Sequence, residues 1–216
     1  MNSFSVIITA GGTSSRYGNS NKLLEKIKDK TVIEETVNKF LFNANINEII
    51  IPANIQIIDK LNKIFNNIKI KTILGGNTRQ ESVYKALQIV SNDYVLIHDG
   101  ARPLVSQDII NNTINKTVKY NATSVMTKTT DTIKEVDTNG KIIRTIDRSK
   151  LYNTQTPQGF KTSLIKDAHE KFRNGNYTDD CSMLEEMNIP IYIVEGSYSN
   201  IKITVKKDLD FAKLYI

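Results

Sequence analysis

The chain predicts an α/β fold in which helices cover a mostly parallel central sheet, and three observations predict it. Apolar segments of strand length alternate with amphipathic segments of helix length along most of the 216 residues. Three of the strand-like segments end in glycine or polar motifs: Gly11-Gly12, Gly75-Gly76 and His98-Asp99. A turn-forming Asp137-Thr-Asn-Gly140 between two strand-like runs breaks the alternation and marks a β-hairpin.

The first element is a strand at 4–9 that runs directly into Ala10-Gly11-Gly12 and a polar loop carrying Arg16 and Lys22. Paired glycines at the carboxyl end of a strand let backbone N–H groups approach a ligand, and cations behind them neutralise phosphate oxygens. Taken alone, the same residues also read as an ordinary turn with both cations in solvent. Ile33, Val37, Phe40 and Leu41 then share a helical face, and 48–51 reads as a short strand stopped at Pro52. Ile57, Leu61, Ile64 and Phe65 repeat the helical spacing. A strand at 68–74 ends at Gly75-Gly76, followed by a helix with Val83, Ala86, Leu87 and Val90 as its buried stripe. The next strand is 94–97; Ile109, Ile110, Ile114 and Val118 mark a helix, and a strand surrounds Val125.

The hairpin at 131–146 has too few apolar residues for a core of its own. An isolated hairpin is marginal in water, so it reads as an arm that packs on something else, with a partner subunit the natural candidate. Beyond it come helices around Leu164 and Ala168 and around Met183 and Leu184, a strand at 189–194, and a closing helix near Leu209 and Ala212.

Length suits one domain over 1–216. Apolar content is 39%, no apolar run approaches the roughly 20 residues that cross a bilayer, and no signal-type segment opens the chain. A cytoplasmic protein with no membrane partner is the expectation. The single cysteine, Cys181, has no second thiol to pair with and reads as structural. The formal net charge of +6 comes from scattered lysines without a long basic run or interleaved aromatics. That pattern fits small phosphorylated ligands and argues against nucleic acid.

In open α/β sheets ligands collect outside the carboxyl ends of the strands, so the three terminal motifs are expected to share one pocket. After Gly75-Gly76, Ser82 can hydrogen-bond a base, and Arg79 has the fork geometry for phosphate or carboxylate; a plain strand-to-helix turn with a surface Arg is the alternative. Asp99 can hold a divalent cation or orient a hydroxyl, and Arg102 can bind a phosphate, unless the two merely pair to stiffen the turn. His98 reads as structural. Thr132, Arg148 and Thr156 supply hydroxyls and a guanidinium suited to a phosphorylated polyol, although Thr156-Pro157 is also a turn sequence and Arg148 also reads as solvated. Thr178-Asp179-Asp180 reads as a helix cap, with a paired carboxylate for metal as the second option. The segment 200–204 reads as a strand with Lys202 opposite its apolar neighbours, either a guard against aggregation or a ligand-binding lysine.

As an ordered series these motifs are far more specific than any one of them: Ala10-Gly11-Gly12 with Arg16 and Lys22, Gly75-Gly76 through Arg79 and Ser82, His98-Asp99-Gly-Ala-Arg102-Pro103, Asp131-Thr132-Ile-Lys134, Asp147-Arg148, Thr156-Pro157-Gln158, and Asn200-Ile-Lys202-Ile-Thr204. Over essentially its whole length the chain resembles the 2-C-methyl-D-erythritol 4-phosphate cytidylyltransferases. The resemblance implies a Rossmann-like layered fold, a homodimer locked by arms at 131–150, CTP as co-substrate, Mg²⁺ as metal, and release of pyrophosphate. It implies catalytic roles for Arg16, Lys22 and Lys202, and a CTP site framed by Ala10, Gly11, Gly12, Gly75, Gly76 and Ser82. The sugar-alcohol phosphate would lie against Asp99, Arg102 and Thr156, with Thr132 and Arg148 from the partner's arm and Asp99 as the metal candidate. The chain departs from the family pattern at Ser14, where a glycine is usual, and at Asn21, where a proline usually precedes the lysine.

Such chemistry needs no enzymic nucleophile, because a phosphomonoester with a second pKa of about 6 is largely dianionic at neutral pH. Positioning and charge neutralisation are what the protein supplies. The neighbouring reading is a ribitol 5-phosphate cytidylyltransferase. The readings from other classes are a nucleotide- or nucleic-acid-binding module and a dinucleotide-dependent dehydrogenase, the last disfavoured because the later glycine spacing is missing.

Overall fold

The strands at the centre are buried on both faces, which explains their near-continuous apolar sequences. The computed structural model describes residues 3–12, 17–18, 21–175 and 177–216. In chain order β1 (Phe4–Thr9) leads to a small ribbon of β2 (Lys26–Ile27) and β3 (Lys30–Thr31), then α1 (Val32–Leu41), β4 (Ile46–Ala53), α2 (Ile58–Ile64), β5 (Ile70–Leu74), α3 (Arg79–Leu87), β6 (Tyr94–Asp99), α4 (Gln107–Tyr120) and β7 (Ala122–Lys128). The arm of β8 (Ile133–Val136) and β9 (Ile142–Ile146) follows, then β10 (Tyr152–Lys161), α5 (Thr162–Lys171), α6 (Cys181–Glu186), β11 (Tyr192–Glu195) and α7 (Lys206–Lys213).

Seven strands form the main sheet in the order β11-β7-β10-β6-β1-β4-β5. Among the described residues, β10 is antiparallel to β6 and β7, and the other pairings are parallel. Alternation along each strand divides the core. Val6, Ile8, Ile49, Ile51 and Leu96 face one side, with Val37, Phe40 and Ile110 from α1 and α4. Ile7, Ile50, Val95 and Ile97 face the other, with Val83 from α3, Ile165 from α5 and Met183 from α6.

After β1 the chain builds outward to β4 and β5, then returns to place β6 on the other side of β1. This reversal opens a crevice beyond the carboxyl ends of β1 and β6, where open sheets bind ligands. Thr9 and Asp99 are directly paired across it. The backbones come unusually close just past them: the Gly100 N–H donates to the Thr9 carbonyl at 3.1 Å. A Cβ on Gly100 would lie 2.8 Å from that carbonyl oxygen and 2.8 Å from Ile33 Cδ1. Gly100→Ala is therefore expected to destabilise the fold by about 1–3 kcal/mol, read as a lower midpoint in denaturant unfolding.

Several expectations need correction. The strand expected to stop at Pro52 continues to Ala53, because Pro52 still offers its carbonyl, which accepts from Ala10 N at 3.0 Å. Thr156-Pro157 is not a turn but part of the ten-residue β10. The ladder to β7 is interrupted between Thr154 and Gln158, where Pro157 has no N–H to give. The segment 200–204 is not a strand. It crosses beyond the sheet and is stitched down bond by bond: Ile203 N donates to Ala101 O at 2.9 Å, and Arg102 Nη1 donates to Asn200 O at 2.8 Å. The hairpin is present, with Gly140 at φ +82° in its turn.

Candidate active site

Two cavities of about 360 Å³ each lie at the carboxyl ends of the strands and share one wall made by Arg79, Asp99 and Lys202. Gly11, Gly12, Lys22, Thr78 and Ser82 border the first. Arg102, Thr156, Thr178 and Asp179 border the second.

Local structure places the pieces of the first cavity. Asn21, which stands where the family resemblance led one to expect proline, caps a short 3₁₀ turn at Lys22–Leu24 by accepting from Leu23 N at 3.0 Å. The cap and the burial of Leu23 hold Lys22 at the cavity's edge. Across from it α3 begins, with Thr78 accepting from Glu81 N at 3.0 Å, so the helix turns its positive end toward the space between. Ser82 pins the second glycine loop and packs against the first: its hydroxyl accepts from Gly76 N at 2.9 Å and donates to Thr78 O at 2.8 Å. A Cβ at Gly11 or Gly75 would come within 2.9 Å of the Ser82 oxygen. Ser82 thus shapes the floor, and its proton is already committed to the protein. Ala10 is fully buried, and Gly75, buried, and Gly76, half-buried, are not among the residues that line the cavity.

Asp99 is the electrostatic centre. Its Oδ2 meets Lys202 Nζ at 3.0 Å and Arg102 Nε at 3.2 Å, and its Oδ1 lies 3.8 Å from Arg79 Nε. Burial alone would raise its pKa, but Lys202, Arg79 and Arg102 together hold the carboxyl well below the usual carboxylate range. Arg79 continues to Asp180, Nη2 to Oδ2 at 2.7 Å. Asp180 is buried, yet Arg79 and the His169 hydrogen bond outweigh that burial and lower its pKa too. Neither Asp180 nor His169 was singled out from the sequence for this role. The clue lay in two carboxylates side by side at 179–180 that a single cap leaves half unexplained: Asp179 accepts from Ser182 N at 3.2 Å, while Asp180 makes no side-chain cap bond.

His98 is structural, as expected. Burial lowers its pKa to about 4, so it is neutral at pH 7. Its Nε2–H faces the Arg102 carbonyl at 3.2 Å, which leaves Nδ1 to accept from the Thr156 hydroxyl at 3.0 Å. That hydroxyl in turn accepts from Asp99 N at 3.0 Å. Thr156 therefore reaches the second cavity with a lone pair to offer and no spare proton.

Lys22, Gly11, Gly12, Ser82, Asp99 and Lys202 come together at the first cavity, and Arg102 and Thr156 join Asp99 and Lys202 at the second. Thr132 and Arg148 do not; both are exposed on the arm, where Arg148 donates to the Thr130 carbonyl. Arg16 and Ser14 lie outside the described residues. Of the Asp99 carboxylate, the metal candidate, Oδ2 is taken by Lys202 and Arg102, while Oδ1 has Arg79 at 3.8 Å. Among the described residues no group of three or more His, Cys, Asp or Glu is placed to hold a metal ion.

A glycine loop, a lysine and a helix amino terminus around a crevice at a sheet's switch point are the construction of a nucleotide-binding α/β enzyme. Comparison with known proteins narrows the class. The family model for 2-C-methyl-D-erythritol 4-phosphate cytidylyltransferase matches residues 4–216. The chain is 39% identical to the enzyme of that name from Clostridium tetani, across 97% of this chain and 89% of the relative. It is 41% identical to one from Clostridium botulinum, across 97% and 95%. Among solved structures it superposes on the 4-diphosphocytidyl-2C-methyl-D-erythritol synthase of Anaerococcus prevotii with a TM-score of 0.88 at 32% identity, covering 99% of this chain and 96% of that one. The chain belongs to the 2-C-methyl-D-erythritol 4-phosphate cytidylyltransferase family. The ribitol 5-phosphate alternative is not the one these matches favour.

Proposed function

We propose that this chain transfers CMP from CTP to 2-C-methyl-D-erythritol 4-phosphate and releases pyrophosphate. Beside membership of the family, the observation that carries the reading is the shared wall: a cleft lined by Gly11, Gly12, Lys22 and the start of α3 meets a second cleft that holds Arg102 and Thr156, and Arg79, Asp99 and Lys202 border both. The triphosphate lies in the first cavity, against Gly11-Gly12, Lys22 and the start of α3. The acceptor phosphate lies in the second, against Arg102 and Lys202. An acceptor phosphate oxygen forms a bond to the α-phosphorus of CTP while the bond from that phosphorus to the bridging oxygen breaks, and pyrophosphate leaves with the electron pair. Lys22 and Lys202 neutralise charge that develops as the bonds exchange, and Arg16 belongs to the same set by its place in the glycine loop. Asp99 fixes Lys202 and Arg102 in place. A divalent cation, Mg²⁺, would enter with the nucleotide as the triphosphate's counter-ion. A cytoplasmic location accompanies these water-soluble substrates; among the described residues no helix is long and apolar enough to cross a membrane.

The assay that tests this follows pyrophosphate with CTP and Mg²⁺ against erythritol and ribitol phosphates in parallel. Release with methylerythritol phosphate alone is expected; release only with ribitol phosphate would overturn the substrate assignment.

The working unit in this reading is a homodimer joined by the arms. Val136, Ile142 and Ile143 are each more than half exposed on the hairpin, more apolar surface than a two-stranded ribbon leaves in water without a partner. Thr132 and Arg148, outside both cavities of their own chain, would then reach the acceptor site of the other. Ile142→Asp with Ile143→Asp is expected to convert the dimer to monomer in sedimentation equilibrium and to lower kcat/KM for the acceptor. A variant still dimeric would remove the arm from the interface.

A further inference from the structure

Arg79 borders both cavities, yet its strongest contact points away from them, and this contact continues into the protein. Its Nη2 donates to Asp180 Oδ2 at 2.7 Å. Oδ1 of the same carboxylate faces His169 Nε2 on α5 at 3.1 Å. Asp180 N donates to Gln158 Oε1 at 3.2 Å, fixing the residue to β10. Asp180 and His169 are at most 1% exposed, and among the described residues His169 Nδ1 has no hydrogen-bond partner. Since a carboxylate oxygen accepts, the ring's Nε2–H donates to Asp180. Next to Arg79, Gln80 donates to the Phe172 carbonyl at 2.7 Å, so the first turn of α3 is tied at two points to the chain between α5 and α6.

We propose that Asp180, itself oriented by His169, is a positioning residue for the transfer reaction: it holds the Arg79 guanidinium at the wall between the two cavities and keeps it from closing onto Asp99. The competition is visible in the distances. Arg79 Nε stands 3.8 Å from Asp99 Oδ1, whereas Lys202 and Arg102 are at 3.0 and 3.2 Å from Oδ2. With the Asp180 charge removed, Asp99 becomes the sole carboxylate in these ion pairs with Arg79. The guanidinium then moves toward it and competes with Lys202, the cation meant for the phosphates. Asp180 lines neither cavity itself, so the effect of its carboxylate on the reaction passes through the lining side chain it holds, Arg79.

The proposal rests on the transferase reading, and the experiment separates the two. Pyrophosphate release with CTP, Mg²⁺ and methylerythritol phosphate is measured for wild type, Asp180→Asn, His169→Gln and His169→Phe, each with its thermal midpoint. Asp180→Asn keeps the shape and an acceptor for Arg79 but loses the charge. Its kcat is expected to fall about 10–100-fold, with KM for CTP within about threefold of wild type. His169→Gln, which retains an N–H for Asp180, is expected to stay within about threefold in kcat, while His169→Phe loses about tenfold. Wild type inactive with this acceptor would overturn the reading underneath. Wild type active, with Asp180→Asn lowered in thermal midpoint but normal in kcat, would reduce Asp180 to a structural role. If Asp180→Asn does not fold, the His169 pair decides: rescue by Gln but not Phe supports positioning, and equal activity in the two overturns it.

Discussion

Lys22→Ala is expected to lower turnover about 10²–10³-fold while moving the thermal midpoint by no more than a few degrees. Lys22 opens a 3₁₀ turn whose geometry is set by the Asn21 cap and by buried Leu23, neither of which the substitution alters. Lys22 borders the cavity between the glycine loop and the start of α3. Charge placed where a triphosphate gains negative charge acts on the transition state more than on folding. Steady-state kinetics at saturating CTP and acceptor, with a melting curve on the same sample, check both halves. Near-normal turnover would remove Lys22 from the mechanism.

The second large effect is expected at Asp99. Asp99→Asn leaves Arg79, Arg102 and Lys202 around a neutral amide, two of them with side chains less than a quarter exposed. Breaking a largely buried ion pair from one side costs about 3–5 kcal/mol, and the low end applies because Lys202, 40% exposed, can turn to solvent. Turnover should fall as well, about 100-fold, since Lys202 and Arg102 lose the group that aims them. The pH dependence has a definite sign. Asp99 binds its proton less readily in the folded protein than in the unfolded chain, so its contribution is complete above the unfolded pKa of about 3.9 and is lost as pH falls below it. The deficit of Asp99→Asn is thus full at pH 7 and shrinks in acid. Chemical denaturation at pH 7 and pH 3 measures it, and an equal deficit at both would contradict the ion-pair account.

The sheet was legible where burial on both faces writes a continuous apolar run, as at Val6-Ile-Ile8 and Ile49-Ile-Ile51, and the helices where one face is apolar, as in α4. β10 was not, because Asn153, Gln155, Thr156 and Gln158 are polar and a proline sits among them; that strand is held by side-chain hydrogen bonds around the site as much as by its ladder. The segment around Lys202 misled in the opposite direction, since the alternation of Ile201, Lys202 and Ile203 also suits an extended chain with one buried side chain and no neighbouring strand. Within the site, residues next to glycines or at strand ends were visible as motifs. Asp180 and His169 were not, since their meaning depends on a contact with Arg79 that spans 101 residues of sequence.

The structure of the complex with a non-hydrolysable CTP analogue and the acceptor phosphate tests the central claim most directly. The account predicts the triphosphate between Gly11-Gly12, Lys22 and the start of α3, and an acceptor phosphate oxygen about 3–3.5 Å from the α-phosphorus beside Arg79 and Lys202. A nucleotide bound away from that wall, or both ligands crowded into one cavity with the other empty, would contradict it.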